Sequence, residues 1–152
     1  MPASTNIPTK LKKSQVDGSV VIDFDTDTLR CLLVVAGSGI PATNKTGVQY
    51  VSDVVATNTE VTGTGYARQT LAGVTVAFDG SIDTYVDFSF SDITFSQNAA
   101  GFTNARYIIF FKNTGADATS PVFAVCDPNQ TLSAQTGDVV LSAPSGGLIQ
   151  WQ

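Results

Sequence analysis

The sequence predicts an all-β fold, an antiparallel sandwich or barrel of about nine short strands with at most one short helix. Short runs rich in Val, Ile, Phe and Thr alternate with clusters of Gly, Pro, Asn and Asp along most of the 152 residues. Some runs are apolar on both faces and others alternate apolar with polar residues, as strands of packed sheets do. We therefore expect one β-domain over residues 18–152, preceded by an extended arm over residues 1–17.

The expected arm differs from the body in charge. Residues 1–13 contain three lysines and no acidic residue, whereas the rest of the chain contains five basic and thirteen acidic residues. No apolar period runs through the arm, so we expect it to be ordered only where another chain holds it. Its composition suits docking onto an acidic protein surface. The contact residues would be Lys10, Lys12 and Lys13 as charges, with Ile7 and Leu11 as small apolar anchors.

The body should open with a hairpin. Residues 19–24 form the first predicted strand and residues 29–36 the second, which is apolar on both faces and should be covered on both sides. Asp23, Asp25 and Asp27 alternate at the turn, as ligands of a calcium loop do. Such a loop also needs Gly at its sixth position and Glu at its twelfth, which here are Thr and Val. Turn chemistry therefore explains the aspartates better.

A loop rich in Gly, Pro and Asn is expected over residues 37–46. After it, Val48, Val51 and Val55 fall at helical spacing and predict the one short helix, of one or two turns. Because valine is β-branched and favours strands, an extended segment is the alternative here.

Residues 60–66, Glu-Val-Thr-Gly-Thr-Gly-Tyr, predict a sharp bend or bulge. Gly63 and Gly65 reach backbone conformations that other residues avoid, and the ring of Tyr66 would pin the bend against the core. A phosphate-binding loop would need a following Lys-Ser/Thr pair, or a third glycine and a helix. The sequence has neither at this place, so we do not expect a nucleotide site.

Residues 72–90 predict a hairpin, because the Asp-Gly pair at residues 79 and 80 separates two alternating runs. Register follows burial, since a slip by one residue would exchange the core and solvent faces. A three-residue loop keeps the apolar residues on one face. It pairs Phe78 with Ile82, and the pairing continues from there along both strands.

The remaining strands follow from similar patterns. The apolar parity changes after residue 90, so we expect a bulge or turn at residues 91–92. Residues 105–112 are the most hydrophobic strand and should lie in the middle of a sheet, with residues 121–126 as the hairpin partner. Two more short strands are predicted over residues 138–142 and 147–151.

The core should be large enough to need no cross-link. The two cysteines, Cys31 and Cys126, lie within apolar runs, and we expect them to be buried free thiols. We also expect four large side chains to be buried: Phe78, Phe88, Ile109 and Phe111.

The sequence offers little catalytic chemistry. It has no histidine, which removes the commonest general base and zinc ligand. An acidic body argues against a nucleic-acid partner, and no apolar run has the length of a membrane span. We expect a non-enzymatic protein with no catalytic residue, cofactor or metal. Tyr85 and Trp151 are the aromatic side chains best placed to meet a partner, and packing in the core or at its rim is the alternative role for each.

Five passages stand out together: residues 22–30, 60–66, 105–115, 119–121 and 147–151. In order and spacing they resemble a group of small virion proteins of tailed bacteriophages, encoded among head and tail structural genes. The resemblance covers most of the chain beyond residue 18. It implies a non-enzymatic virion component, and in particular a head decoration (cement) protein that binds and stabilises the assembled capsid.

The resemblance also implies partners. They would be the major capsid protein and two further copies of this chain, as a homotrimer around local threefold axes, because shell decorations commonly match the symmetry beneath them. The protein would be made in the host cytoplasm and lie on the outer capsid surface, with no nucleic-acid or membrane partner. The alternative is a tail or fibre component that binds host-surface glycan.

Overall fold

The computed structural model describes residues 4–37, 47–78, 86–144 and 149–151. Within them the chain forms mostly antiparallel β-sheet, so the prediction of an all-β fold is confirmed. In chain order the elements are β1 (Ser4–Asn6), α1 (Thr9–Asp17), β2 (Leu29–Val35), α2 (Val51–Val55), β3 (Gln69–Thr70), β4 (Thr75–Phe78), β5 (Val86–Ser89), β6 (Ile93–Phe95), β7 (Ala105–Lys112), β8 (Val122–Asp127), β9 (Val139–Leu141) and β10 (Ile149–Trp151).

β7 lies in the middle of the largest sheet, as its unbroken apolar sequence predicts. That sheet has five strands in the order β1-β8-β7-β2-β3. β7 pairs antiparallel with β8, which confirms the predicted hairpin, and with β2 on its other side. Two smaller sheets lie in the described part of the chain, β10-β5-β4 and β6-β9.

Both faces of the five-stranded sheet are covered. One face forms the larger core with side chains of the smaller sheets, where the ring of Phe123 on β8 lies between Phe110 of β7 and Phe88 of β5. The other face forms a second core with α2, where Leu32 and Ile109 pack with Val51. The result is a sandwich-like fold with a short helix over its outer face.

The burial predictions are confirmed where the structure describes the side chain. Phe88, Ile109 and Phe111 are each at most 1% exposed. The side chain of Phe78 lies outside the described residues.

The expectation of an extended arm is wrong for the described part of residues 1–17. β1 adds an edge strand to the large sheet, with Thr5 opposite Cys126 of β8, and α1 follows it. Leu11 is completely buried in the larger core. This segment therefore gains its contacts from its own body rather than from another chain.

Residues 19–24 do not form the predicted first strand. A hairpin with β2 would need the edge of β2 that faces away from β7. β3 occupies that edge, with Arg30 opposite Thr70 and Cys31 opposite Gln69. The predicted second strand is present as β2.

The alternating aspartates build the turn before β2, as predicted. Asp23 Oδ1 accepts the N–H groups of Asp25 at 3.0 Å and Thr26 at 3.3 Å. Asp27 Oδ2 accepts the N–H of Asp23 at 2.8 Å and also pairs with Lys112 Nζ at 2.8 Å.

The register of the β4–β5 pair differs from the predicted one. Phe78 lies opposite Val86 rather than Ile82, so the predicted pairing across residues 79–81 is wrong; residues 79–85 lie outside the described residues. The shift is by an even number of residues, so Val76 still pairs with a residue of the predicted apolar row, the buried Phe88. Val76 itself is 43% exposed, so burial predicts the position of Phe88 correctly but fixes neither the register nor the burial of β4.

The other predicted elements are present. α2 forms where the valine spacing places it, and Asp53 Oδ2 caps its first turn by accepting the N–H groups of Gln49 and Tyr50, both at 2.9 Å. The strand is interrupted between β5 and β6, where a bulge or turn was predicted at residues 91–92, and strands are present in both of the last two predicted ranges. Residues 38–46 of the predicted loop lie outside the described residues.

Candidate partner-binding surface

The sequence sets both ends of α1. Pro8 precedes the helix, where its missing N–H is not needed. Gly18 follows it with φ of 72°, a left-handed conformation that glycine adopts without steric cost. The N–H of Val20 then bonds to the carbonyl oxygen of Ser14 at 3.3 Å, so the chain folds back over the helix end.

α1 has a buried face and an exposed face. Leu11 is 0% exposed and Ser14 is 5% exposed, and Ile7 packs on the same core just before the helix. The rest of the helix surface is exposed and carries Lys10, Lys12, Lys13 and Val16. The helix is therefore held by its own body and presents a mainly basic face to its surroundings.

Part of the charge on this face is compensated locally. Lys13 Nζ donates to Asp17 Oδ2 at 2.5 Å. Hydrogen bonds from Lys13 and Ser19 hold the pKa of the Asp17 carboxyl well below its usual range. Lys10 Nζ is 3.5 Å from the carbonyl oxygen of Gly47, which carries no formal charge. Two lysine charges thus remain on the helix beyond the Lys13–Asp17 pair.

Two valines add apolar area beside these lysines. Val16 is 90% exposed and Val21 is 67% exposed, and they lie before and after the turn at Gly18. A single exposed valine is ordinary, but two that flank the turn at the end of a helix with three exposed lysines give this part of the chain both basic and apolar exposed residues. We call this set the α1 surface: Lys10, Lys12, Lys13, Val16 and Val21.

The structure brings together only some of the predicted contact residues. Lys10, Lys12 and Lys13 share the α1 surface. Leu11 is fully buried in its own core and offers no surface to another chain, whereas Ile7 is partly buried against the same core. Tyr85 and the side chain of Trp151 lie outside the described residues.

The sequence contains a helical pattern over α1 that the prediction of an extended arm does not use. Ile7, Leu11 and Ser14 follow helical spacing, and a proline and a glycine mark the two ends. The buried serine and the lysines hide this period in a count of apolar residues. The exposure of Val16 and Val21 becomes apparent only in the folded structure.

A second cluster joins the glycine-rich stretch to the fold: Glu60, Tyr66, Arg68 and Asp117, here called the Glu60 cluster. Arg68 binds both carboxylates, with Nη2 at 2.8 Å from Glu60 Oε2 and Nη1 at 2.5 Å from Asp117 Oδ1. The hydroxyl of Tyr66 donates to Glu60 Oε1 at 2.8 Å and accepts the N–H of Leu33 at 3.0 Å.

The Glu60 cluster has a structural role. Burial raises the pKa of Tyr66 above its usual value. Hydrogen bonds to Asp117 and Glu60 raise the pKa of Arg68, and the bond from Arg68 lowers the pKa of Asp117. These shifts keep Tyr66 and Arg68 protonated and Asp117 ionised, which are the forms that make these contacts. An acid–base catalyst must instead change its protonation state near the working pH.

The predicted bend in this stretch is confirmed. The ring of Tyr66 stacks on Phe95, with centroids 6.0 Å apart, and meets the edge of Phe102. A Cβ on Gly63 would lie 2.5 Å from the backbone nitrogen of Phe102. Glycine is needed here because two backbone segments approach closely.

Both cysteines are buried free thiols, as predicted. Cys31 lies opposite Phe110 and Cys126 lies opposite Ile108, so β7 separates them. Two strand spacings put their Cα atoms at least about 9.5 Å apart, beyond the reach of a disulfide. Burial raises the pKa of the Cys31 thiol to about 12, which makes it a poor nucleophile.

Among the described residues, no group of three or more His, Cys, Asp or Glu could hold a metal ion. In the same part of the chain, no helix has the length and apolar character to cross a membrane. Comparison with protein-family models, curated proteins and solved structures finds no match to this chain.

Proposed function

We propose that the protein is a non-enzymatic virion component of a tailed bacteriophage, a capsid decoration protein that binds the assembled head. The proposal starts from the sequence resemblance and is supported by the α1 surface, the single observation that carries it. Charged residues make up only 14% of the chain, against roughly 25% in ordinary soluble domains. Three lysines and one exposed valine on a preformed helix, with a second exposed valine just after it, are therefore a distinctive feature.

The α1 surface suits a rigid docking contact. Its lysines would attract an acidic shell surface and orient the approach. Val16 and Val21 would lose water on contact, and each valine that becomes fully buried contributes about 1.5 kcal/mol. Because the helix is already folded, association does not carry the entropy cost of ordering a flexible arm.

The partners in this proposal are the major capsid protein and further copies of the chain. A homotrimer would place three α1 surfaces around a local threefold axis of the shell, so that one weak contact is repeated three times. Light scattering of the protein in solution and after release from particles gives the number of copies in the assembly.

Co-sedimentation tests the proposal with heads that lack the protein, taken from the particle that encodes it. Val16→Asp should weaken binding by about tenfold or more, because a buried charge replaces an apolar contact. Val140→Asp is the matched control: Val140 is also exposed, at 47%, but lies on β9 outside the α1 surface. It should bind like the wild type.

A charge-reversed variant tests the lysines separately. Lys10→Glu combined with Lys12→Glu should reduce binding most at low salt, where exposed charges are least screened. Wild-type binding by both this variant and Val16→Asp would exclude the α1 surface as the docking site. Binding to host cells but not to heads would instead support a tail or fibre adhesin.

A further inference from the structure

A cavity of about 400 Å³ lies between the five-stranded sheet and the segment that contains β9. Its floor is made of buried apolar side chains, among them Phe90, Phe110, Leu132 and Leu141. Its rim is exposed and polar, with Thr131, Thr136, Asp138 and Ser142. The cavity thus joins an apolar interior to a mouth that offers hydroxyl and carboxylate groups.

The size of this cavity lies within the range of ligand pockets. Such pockets measure about 300–1,000 Å³ and combine apolar walls with a few polar groups. Ser142 and Thr131 line the cavity with short, exposed side chains, so a larger residue at either position would narrow its mouth.

The charge of the lining limits what can bind. Asp138 is the one charged side chain among the described residues that line the cavity. Its Oδ1 accepts the N–H of Gln97 at 2.7 Å, which fixes the carboxylate at the rim and leaves Oδ2 to accept a further donor. A carboxylate in this place repels anions and accepts hydrogen bonds from neutral donors.

We propose that this cavity binds a small neutral ligand that is mainly apolar. The ligand lies on Phe90, Phe110 and Leu141, and an uncharged end of it lies at the rim beside Asp138. The site goes beyond docking on a shell: the cavity shares no residue with the α1 surface. Ligand binding can therefore be absent while shell binding is observed, and shell binding can be absent while ligand binding is observed.

Fluorescence titration of the full chain tests the site with two dyes, neutral Nile red and anionic anilinonaphthalene sulfonate. The wild type should bind Nile red and bind the anionic dye more weakly. Ser142→Trp should fill the mouth and weaken Nile red binding by about tenfold or more. Thr62→Trp is the matched control, since Thr62 is exposed and does not line the cavity; its affinity should match the wild type.

Asp138→Asn removes the negative charge but keeps a side-chain oxygen that can accept the N–H of Gln97. It should raise the affinity for the anionic dye severalfold and leave Nile red nearly unchanged. Circular dichroism must show that Ser142→Trp is folded; if it is not, Thr131→Trp replaces it. No Nile red binding, equal loss in Ser142→Trp and Thr62→Trp, or no effect of Asp138→Asn on the anionic dye would each overturn the proposal.

Discussion

Replacing Leu11 by alanine separates a packed helix from a free arm. Leu11 has no exposed surface and belongs to the larger core. If the segment is packed as described, Leu11→Ala destabilises the whole fold. If residues 1–17 were an arm that orders only on a partner, the same change would leave the isolated protein unaffected.

The expected size of the effect follows from the burial of Leu11. Truncation to alanine removes three carbon atoms from the core, which costs about 2.4 kcal/mol at about 0.8 kcal/mol for each. The space left behind adds a further cost, reduced here because a short helix at the outside of the fold can shift inward. We expect the free energy of unfolding to fall by about 3 kcal/mol, within the range of about 2–5 kcal/mol for buried leucines.

Urea unfolding followed by circular dichroism measures this change. Val16→Ala is the matched control in the same helix: Val16 is 90% exposed, and alanine is the better helix former, so stability should change by less than about 0.5 kcal/mol. A loss below about 0.5 kcal/mol in Leu11→Ala, equal to that of the control, would refute the packing of α1 described above.

Two further predictions concern the Glu60 cluster and its surroundings. Gly63→Ala should lower the free energy of unfolding by about 2 kcal/mol or more, because the added Cβ would lie 2.5 Å from a backbone nitrogen; an unchanged urea midpoint would contradict the close approach. The bond from Arg68 lowers the pKa of Asp117 in the folded state. The unfolded carboxyl therefore binds a proton first, and the stability from this group is complete above the unfolded pKa of about 3.9 and lost as pH falls through the folded pKa. Acid titration of stability should be steeper in the wild type than in Asp117→Asn, and identical slopes would contradict the pairing.

The strands buried on both faces were the most predictable part of the fold. β2, β7 and β8 are runs of apolar residues with no polar face, which only central strands can accommodate. The bend at Tyr66 was also predictable, because Gly63 and Gly65 favour a sharp turn and the large ring of Tyr66 favours burial. In each case one local pattern is enough to determine the structure.

The errors arose where the outcome depends on distant parts of the chain. Residues 19–24 have strand composition, but β3 occupies the edge of β2 that they would need. The β4–β5 register could not be fixed because the alternation continues through Ile82 and gives no strand end. α1 was missed because its buried face includes Ser14, whose burial depends on the body beneath it.

Only the lysines of the candidate site could be predicted from the sequence, for the same reason. Charge alone pointed to Lys10, Lys12 and Lys13. The two exposed valines carry no sequence signal, since valine is most often a buried residue. They stand out only when the helix and its turn are seen in three dimensions.

Cryo-electron microscopy of the purified particle tests the central proposal most directly. Docking through the α1 surface predicts density for this β-fold on the outer face of the head, in threes around local threefold axes, with α1 against the shell. Density for the fold only in the tail or its fibres, or on the head with α1 turned away from the shell, would contradict the proposal.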